Sequence, residues 1–399
     1  MIIMMKLKEM EIFEALLDKP ENELVEKALR EGRIAIGYNC YLVPESLLSM
    51  GNAFPVRLRA QDAGGTELAT HYMSPFICSY ARSILESALD GAYNFLGGLV
   101  FATSCIHITR GCHHIQELKV NADKQSFFTF AIDTPRKTSN NWLRMMTKHL
   151  RSAAHMLTVH YGINTSDEAL AKAIREHNAF NSLLRRLSEL RKADEPKISG
   201  TEFHTVMVAS KTAPRDMLVQ SLKQLIAAAE RRAGIKDYRA RLMVVGSIFD
   251  NPKFTELIEE QGGLVVADRY CFGSLPGLEE IREDGDPYEN LARHYLGTCE
   301  CPRMMEKLRE RERSVKKWEE EFKADGIIFE TMKFCDLWGY EALSGVPKLR
   351  NRNMPVVRIE REYALTGEGQ LKTRVQAFIE LIESKRLNKA LAGYRGTVC

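Results

Sequence analysis

The chain has 399 residues, 45% of them hydrophobic and 27% charged, which excludes long disorder and implies more than one domain at roughly 100–200 residues each. Its 56 basic and 53 acidic residues leave a net charge of +3, so nothing singles out nucleic acid as a partner. Apolar runs such as residues 97–102 are strand-length, short of the roughly 20 residues a membrane helix needs, and the apolar start 1–5 leads into a charged helical pattern rather than a signal peptide. The expectation is a cytoplasmic protein that meets no membrane.

In chain order, residues 1–30 read as a helical segment. Strand candidates follow at 33–38, 53–58, 98–103 and 126–132, with helical patterns at 80–96 and 107–120 between them. Strands alternating with helices imply a parallel sheet, giving a first α/β domain over 31–137. Residues 138–193 turn helical, with Leu150, Met156 and Leu157 on one stripe and Leu183, Leu184, Leu187 and Leu190 on another. The segment 193–200 has the charge, proline and glycine of a linker, so 138–200 reads as a helical insertion and linker. A second α/β domain, 201–399, has strand candidates at 241–246, 263–267, 326–329 and 355–359. Its helices are expected at 216–233, 252–261, 302–324 and 371–391, the last closing the chain. The fold class is therefore α/β, with two Rossmann- or flavodoxin-like parallel sheets and an intervening helical segment. The dense Arg/Glu/Lys content of 302–324 reads as a solvated helix face.

The chain contains no Gly-x-x-x-x-Gly-Lys-Ser/Thr, Gly-x-Gly-x-x-Gly, His-Glu-x-x-His or Gly-x-Ser-x-Gly pattern. Nine cysteines in a reducing compartment are not disulfide partners, which leaves metal ligation, reactivity or burial. Cys105 and Cys335 follow the strand candidates 98–103 and 326–329, at the carboxyl ends where open α/β sheets hold ligands. Cys105 and Cys78 each precede a helical pattern, whose positive end favours the thiolate that iron binds. Alone, each of these cysteines reads as a buried apolar residue, since free cysteine packs well inside.

Glu45, after Pro44, reads either as a proton carrier or as a plain helix-start glutamate. Cys112, His113, His114 and Glu117 share a helical spacing that suggests metal, but Arg110 beside them favours an ordinary helix face. Cys40 reads as a structural residue, a fourth ligand or a neighbour of the ligands, and Cys271 as a structural or crevice-lining residue. Cys299 and Cys301 fall in a loop before a helix that Pro302 begins, and Cys399 reads as a free terminal thiol.

Several stretches, in order, resemble the benzoyl-CoA reductase and 2-hydroxyacyl-CoA (2-hydroxyglutaryl-CoA) dehydratase family. They are Tyr38-Asn39-Cys40-Tyr41-Leu42-Val43-Pro44-Glu45, Phe54-Pro55-Val56-Arg57-Leu58, Cys78 with its neighbours, Ala102-Thr103-Ser104-Cys105, and Asp133-Thr134-Pro135. They continue with Gly246-Ser247, residues 262–268, Gly285-Asp286-Pro287, Cys301-Pro302 and Phe334-Cys335-Asp336. The resemblance spans roughly 30–385 and rests on their order. It implies two α/β domains around a [4Fe-4S] cluster held by three cysteines, which carry over to Cys78, Cys105 and Cys335, with one iron left open. It also implies a separate ATP-dependent iron–sulfur activator, a paralogous cluster-binding subunit, and an acyl-CoA substrate reduced through a ketyl radical anion.

Within the family, residues 268–274 and 301–304 look closer to the benzoyl-CoA reductase subunits. The alternatives are a subunit of an (R)-2-hydroxyacyl-CoA dehydratase, a homodimeric reductase with two bridged cubanes, or an electron-relay or structural subunit. An α/β binding protein with buried cysteines is the non-metal alternative. Ile106 stands where the family leads one to expect an acidic residue after the second cysteine.

Overall fold

A computed structural model describes residues 6–60, 63–118, 120, 127–275 and 277–396. Strands β1 (Ile34–Tyr38), β2 (Ala53–Arg57), β3 (Gly98–Ala102) and β4 (Phe128–Ile132) form one parallel sheet in the order β2-β1-β3-β4. Strands β5 (Ala240–Val245), β6 (Gly263–Arg269), β7 (Gly326–Met332) and β8 (Val356–Arg361) form a second, in the order β6-β5-β7-β8. Both follow the flavodoxin-like order, so the fold class is α/β with two doubly wound units. Strands β3, β5, β6 and β7 are buried along their whole length, as near-continuous apolar runs must be when helices cover both faces. The start of the 126–132 strand candidate lies outside the described residues.

The chain opens with α1 (Glu11–Ala15) and α2 (Glu23–Arg30). The first unit then adds α3 (Glu67–Thr70), α4 (Ser79–Leu89) and α5 (Ile106–Glu117). The helix expected over 80–96 stops early because Gly91 adopts a left-handed φ of 81° just past the last turn. The helical stretch expected from 138 to 193 is two helices, α6 (Asn140–Tyr161) and α7 (Asp167–Glu189), broken at the left-handed Gly162 and restarted by the Ser166 cap. Ser199 and Glu202 then form a reciprocal capping box that starts α8 (Gly200–Ala209), followed by α9 (Arg215–Arg231). Met10, Phe13 and Leu16 pack with Leu184, Phe203 and Leu222, so the N-terminal helices share a core with this bridge.

The second unit carries α10 (Lys253–Glu260), α11 (Pro287–Gly297), α12 (Leu308–Glu321), α13 (Asp336–Asn351) and α14 (Glu368–Gly396). The helix expected to begin at Pro302 begins instead at Leu308, after a short 3-10 turn over Met305–Lys307. Tertiary demands explain the delay: Arg303 and Met304 are buried, and Lys307 Nζ donates to Leu296 O at 2.9 Å. Along α12 only Arg311 is buried, in keeping with a solvated charged face. Among the described residues, no helix is long and apolar enough to cross a membrane.

The carboxyl ends of the two sheets meet. Arg57, closing β2, donates to Cys271 O at 2.7 Å and lies 3.8 Å above the Phe272 ring. In the other direction Arg303 donates to Ser104 O at 2.8 Å, Thr134 O at 2.8 Å and Pro135 O at 2.7 Å. Tyr363, after β8, accepts from Ala60 N–H at 2.9 Å and donates to Asp250 at 2.6 Å. Bonds from a charged donor contribute about 1.5–3 kcal/mol each. Arg303→Ala is therefore expected to remove at least about 3 kcal/mol, read as a lower urea midpoint. Arg303→Lys should recover less than half, because an ammonium cannot serve carbonyls spread around a planar fork. An unchanged midpoint in Arg303→Ala would show that the contact holds nothing.

Candidate metal centre

One local arrangement recurs three times around the crevice between the sheets. Cys78 is the N-cap of α4, Cys105 of α5 and Cys335 of α13. Cys105 and Cys335 stand three residues beyond β3 and β7, each beside the place where its sheet's strand order reverses. None of the three side chains makes a formed capping hydrogen bond. Yet the amides of Ala81, Ile108 and Trp338, each three residues on, favour the ionised form of the respective sulfur.

Burial works the other way and wins. It pushes Cys78 up to about 12, with Cys105 adding to the effect. It also raises Cys105 and Cys335, the latter further disfavoured by Cys105 and Cys78. The three sulfurs thus feel one another across the two units. They could be ionised together only around a cationic body, and iron is one that thiolates bind. Among the described residues, no group of three or more His, Cys, Asp or Glu closes on a single metal ion. A cubane is far larger than one ion, so thiolates that share it stand well apart; the donor set fits a cluster.

His107 braces this site. Its Nδ1 accepts from Cys78 N–H at 3.3 Å while Nε2 faces Asp336 Oδ2 at 3.7 Å. Burial lowers its pKa, and Asp336 only partly offsets this, which suits a neutral ring with its proton on Nε2. Sequence reasoning overlooked His107, although its place two residues after Cys105 was a usable signal. Ile106 points outward, 72% exposed.

Cys40, Cys271, Cys299 and Cys301 gather in the same crevice. Cys271 is affected by Cys40, Cys335 and Cys105, and Cys301 by Cys299, Cys271 and Cys40. The Tyr41 hydroxyl lies 2.8 Å from Cys299 Sγ. Cys112 is fully buried in the apolar core of the first unit, where Cys105 and Cys40 still act on it, and His114 faces Glu117 at 3.4 Å. Cys399 lies outside the described residues.

Glu45 begins a short 3-10 helix and is buried. It accepts from the Tyr38 hydroxyl and pairs with Arg215. Burial alone would raise its pKa, but Arg215 and then Lys211 outweigh it and hold the carboxyl at about 2. Lys211 is pushed down to about 7 by burial, against the pull of Glu45. Arg215 also donates to His177 Nδ1 at 2.8 Å. Glu45, His177, Lys211 and Arg215 line one cavity with Tyr41 and His294. No spacing in the sequence announces this network, since its members come from four separate elements.

A family model described as 2-hydroxyglutaryl-CoA dehydratase, D-component, matches residues 40–382. The β subunit of (R)-phenyllactyl-CoA dehydratase from Clostridium sporogenes is 24% identical over 372 residues, 93% of this chain and 97% of that one. The β subunit of lactoyl-CoA dehydratase from Anaerotignum propionicum is 22% identical over 367 residues, 91% of this chain and 96% of the relative. One of the subunits of benzoyl-CoA reductase from Thauera aromatica is 23% identical over 312 residues, 76% of this chain and 79% of the relative.

The Glu45 network makes a pH prediction. A carboxyl lowered from 4.5 to about 2 contributes stability that is fully present above 4.5 and is lost as pH falls toward 2. Glu45→Gln should therefore cost roughly 3 kcal/mol at neutral pH, leaving Arg215 and Lys211 without their counter-charge. It should also flatten the acid limb of stability between those two values, measured by urea unfolding across pH. An acid limb identical to that of the wild-type chain would remove Glu45 from the account.

Proposed function

The chain belongs to the family of the 2-hydroxyglutaryl-CoA dehydratase D-component, and on that premise we propose that it is the cluster-bearing subunit of an enzyme that delivers a low-potential electron to an acyl-CoA thioester. The observation that carries this reading is the set of three N-cap cysteines, Cys78, Cys105 and Cys335, which come from both sheets and act on one another. These residues would hold a [4Fe-4S] cluster. Bound there, it supplies one-electron transfer and an iron with a position open to a substrate oxygen.

The chain's own residues prepare that site. Three helix N-termini converge on it and favour the negative charge of a thiolate-ligated cluster. Burial of the sulfurs keeps water from them, and the His107–Asp336 contact fixes the peptide of Cys78. In this reading Glu45 contributes as the ionised, fixed end of its network, and Lys211, poised at about 7, is the group that exchanges a proton.

Dehydratase and reductase subunits match at 24% and 23% identity, so the lean toward dearomatisation in residues 268–274 and 301–304 gains no separate support. An (R)-2-hydroxyacyl-CoA dehydratase fits equally. Several relatives are named as subunits, which supports a paralogous partner for this chain. By the family resemblance, ATP would enter only through a separate activator.

One observation favours a second reading. Cys40 disfavours the ionised form of Cys105, Cys335 and Cys105 do so for Cys271, and Cys271 and Cys40 do so for Cys301. This suits a bridged double cubane in a homodimeric reductase.

Iron and acid-labile sulfide on anaerobically purified protein separate the readings, with about four irons per chain expected for one cubane and about eight for a bridged pair. Cys78→Ala, Cys105→Ala and Cys335→Ala should each remove most of the iron. Alanine at Cys40, Cys271 and Cys301 together should halve it only if the cluster is double. Full iron in the Cys78/Cys105/Cys335 triple variant would sink the proposal.

A further inference from the structure

Beside the cysteine crevice, helices α12 and α13 part to leave an open cleft over the carboxyl half of the second sheet. Its walls include Val245, Leu275, Val315, Phe329, Trp338 and Leu349. Trp338 packs edge-on against Phe329 at 6.0 Å between centroids. Apolar walls around a buried polar group suit a small organic ligand rather than an ion.

Arg269, the last residue of β6, lines the same cleft and is 4% exposed. Its guanidinium donates to Ser274 O at 3.1 Å, pairs with Glu300 and lies 5.0 Å over the Trp318 ring, but its Nε has no hydrogen-bond partner. A buried N–H left without a partner is costly, so this one invites an oxygen acceptor.

Arg311 closes one end of the cleft through a bidentate pair with Glu341, at 2.9 and 2.8 Å. At the rim, Lys348 pairs with Glu312, and Arg352 lies 3.3 Å from Glu319; both cations are substantially exposed. Exposed pairs contribute little, so these cations can exchange a carboxylate for phosphate oxygens at little cost.

Two residues join the cleft to the cysteines. Glu300 stands between Cys299 and Cys301, and the Trp338 amide is the one that favours the Cys335 thiolate. An oxygen held by Arg269 would therefore lie on the side of the cleft nearest the crevice.

We propose that this cleft is the acyl-binding site for a CoA thioester. An aromatic or branched acyl group lies against Trp338 and Phe329, Arg269 Nε donates to an oxygen of the ligand, and Lys348 and Arg352 meet the CoA phosphates. The thioester identity rests on the function proposed above; the apolar cleft with a free buried donor does not. A free aromatic carboxylate shares the acyl-end chemistry, and only the CoA moiety engages the rim.

Gly345 lines the cleft, and a Cβ there would meet only Phe329 Cε2, at 3.7 Å. A methyl group fits, whereas a phenyl ring has to enter the cleft. The test is calorimetric titration of the full-length, anaerobically purified protein with benzoyl-CoA, lactoyl-CoA and benzoate, with iron measured on each sample. Thermal melts of Gly345→Ala and Gly345→Phe would confirm that both variants fold.

Wild-type protein and Gly345→Ala should bind at least one thioester alike, and Gly345→Phe should bind it at least tenfold more weakly. Lys348→Gln with Arg352→Gln should weaken thioester binding at least threefold and leave benzoate unaffected. Thioester binding that Gly345→Phe does not change overturns the site, as does failure of iron-replete wild-type protein to bind either thioester. Benzoate binding as tight as that of benzoyl-CoA overturns the thioester assignment. Iron-free protein that binds thioester in a Gly345→Phe-sensitive way would keep the cleft while refuting the cluster function.

Discussion

Buried arginines that reach from the loops of one sheet to the main chain of the other are the constraint on which the rest depends. Arg303 satisfies carbonyls at Ser104, Thr134 and Pro135, beside Cys105, and Arg57 satisfies the carbonyl of Cys271. Loop carbonyls packed between two domains would otherwise be desolvated without donors, which a fold tolerates poorly. A guanidinium is suited to this role because its planar fork serves several acceptors at once and stays charged when buried. With the sheets held carboxyl end to carboxyl end, their helix N-termini point into one shared crevice.

That geometry explains the chemistry of the crevice. Burial protects the sulfurs from water but raises their pKa, and the first-turn amides of α4, α5 and α13 oppose the rise without overcoming it. In the reading proposed above, a cationic cluster would make up the remaining deficit. On the far side of Tyr41 the Glu45, Arg215 and Lys211 network applies the same rule to a proton. The ion pair fixes one charge, and burial lowers the neighbouring lysine to about 7.

The second sheet needs its own buried charges. Arg191 pairs with Asp268 at 2.7 Å, and Arg361 with Glu330 at 3.0 Å. Glu330 in turn accepts from Ser247 N–H at 2.9 Å, next to Gly246. A Cβ at Gly246 would stand 2.7 Å from Glu330 O and 2.5 Å from its carboxylate, so the Gly-Ser pair after β5 is required by a close approach of β7. The Asp268-Ser274 contacts likewise tie the loop after β6 back onto its strand, and that loop carries Cys271.

The eight strands and the alternating α/β pattern were legible because a strand covered on both faces must be a continuous apolar run, which local composition reveals. The three N-cap cysteines were legible for a related reason, since they follow strands or precede helices at positions local pattern can place. Helix α13 escaped notice because Gly339, Gly345 and Pro347 interrupt its pattern, and the start of α12 was misplaced because Arg303 is drawn away to the other sheet. The sequence by itself determined which segments become strands and that Cys78 and Cys105 stand at helix starts. Only the tertiary structure decided that those thiols face one another, that Glu45 is ionised beside a Lys211 lowered to about 7, and that a cleft opens at Arg269. Each of those depends on charges and surfaces brought together from distant parts of the chain, and long-range proximity leaves no local trace in composition or period.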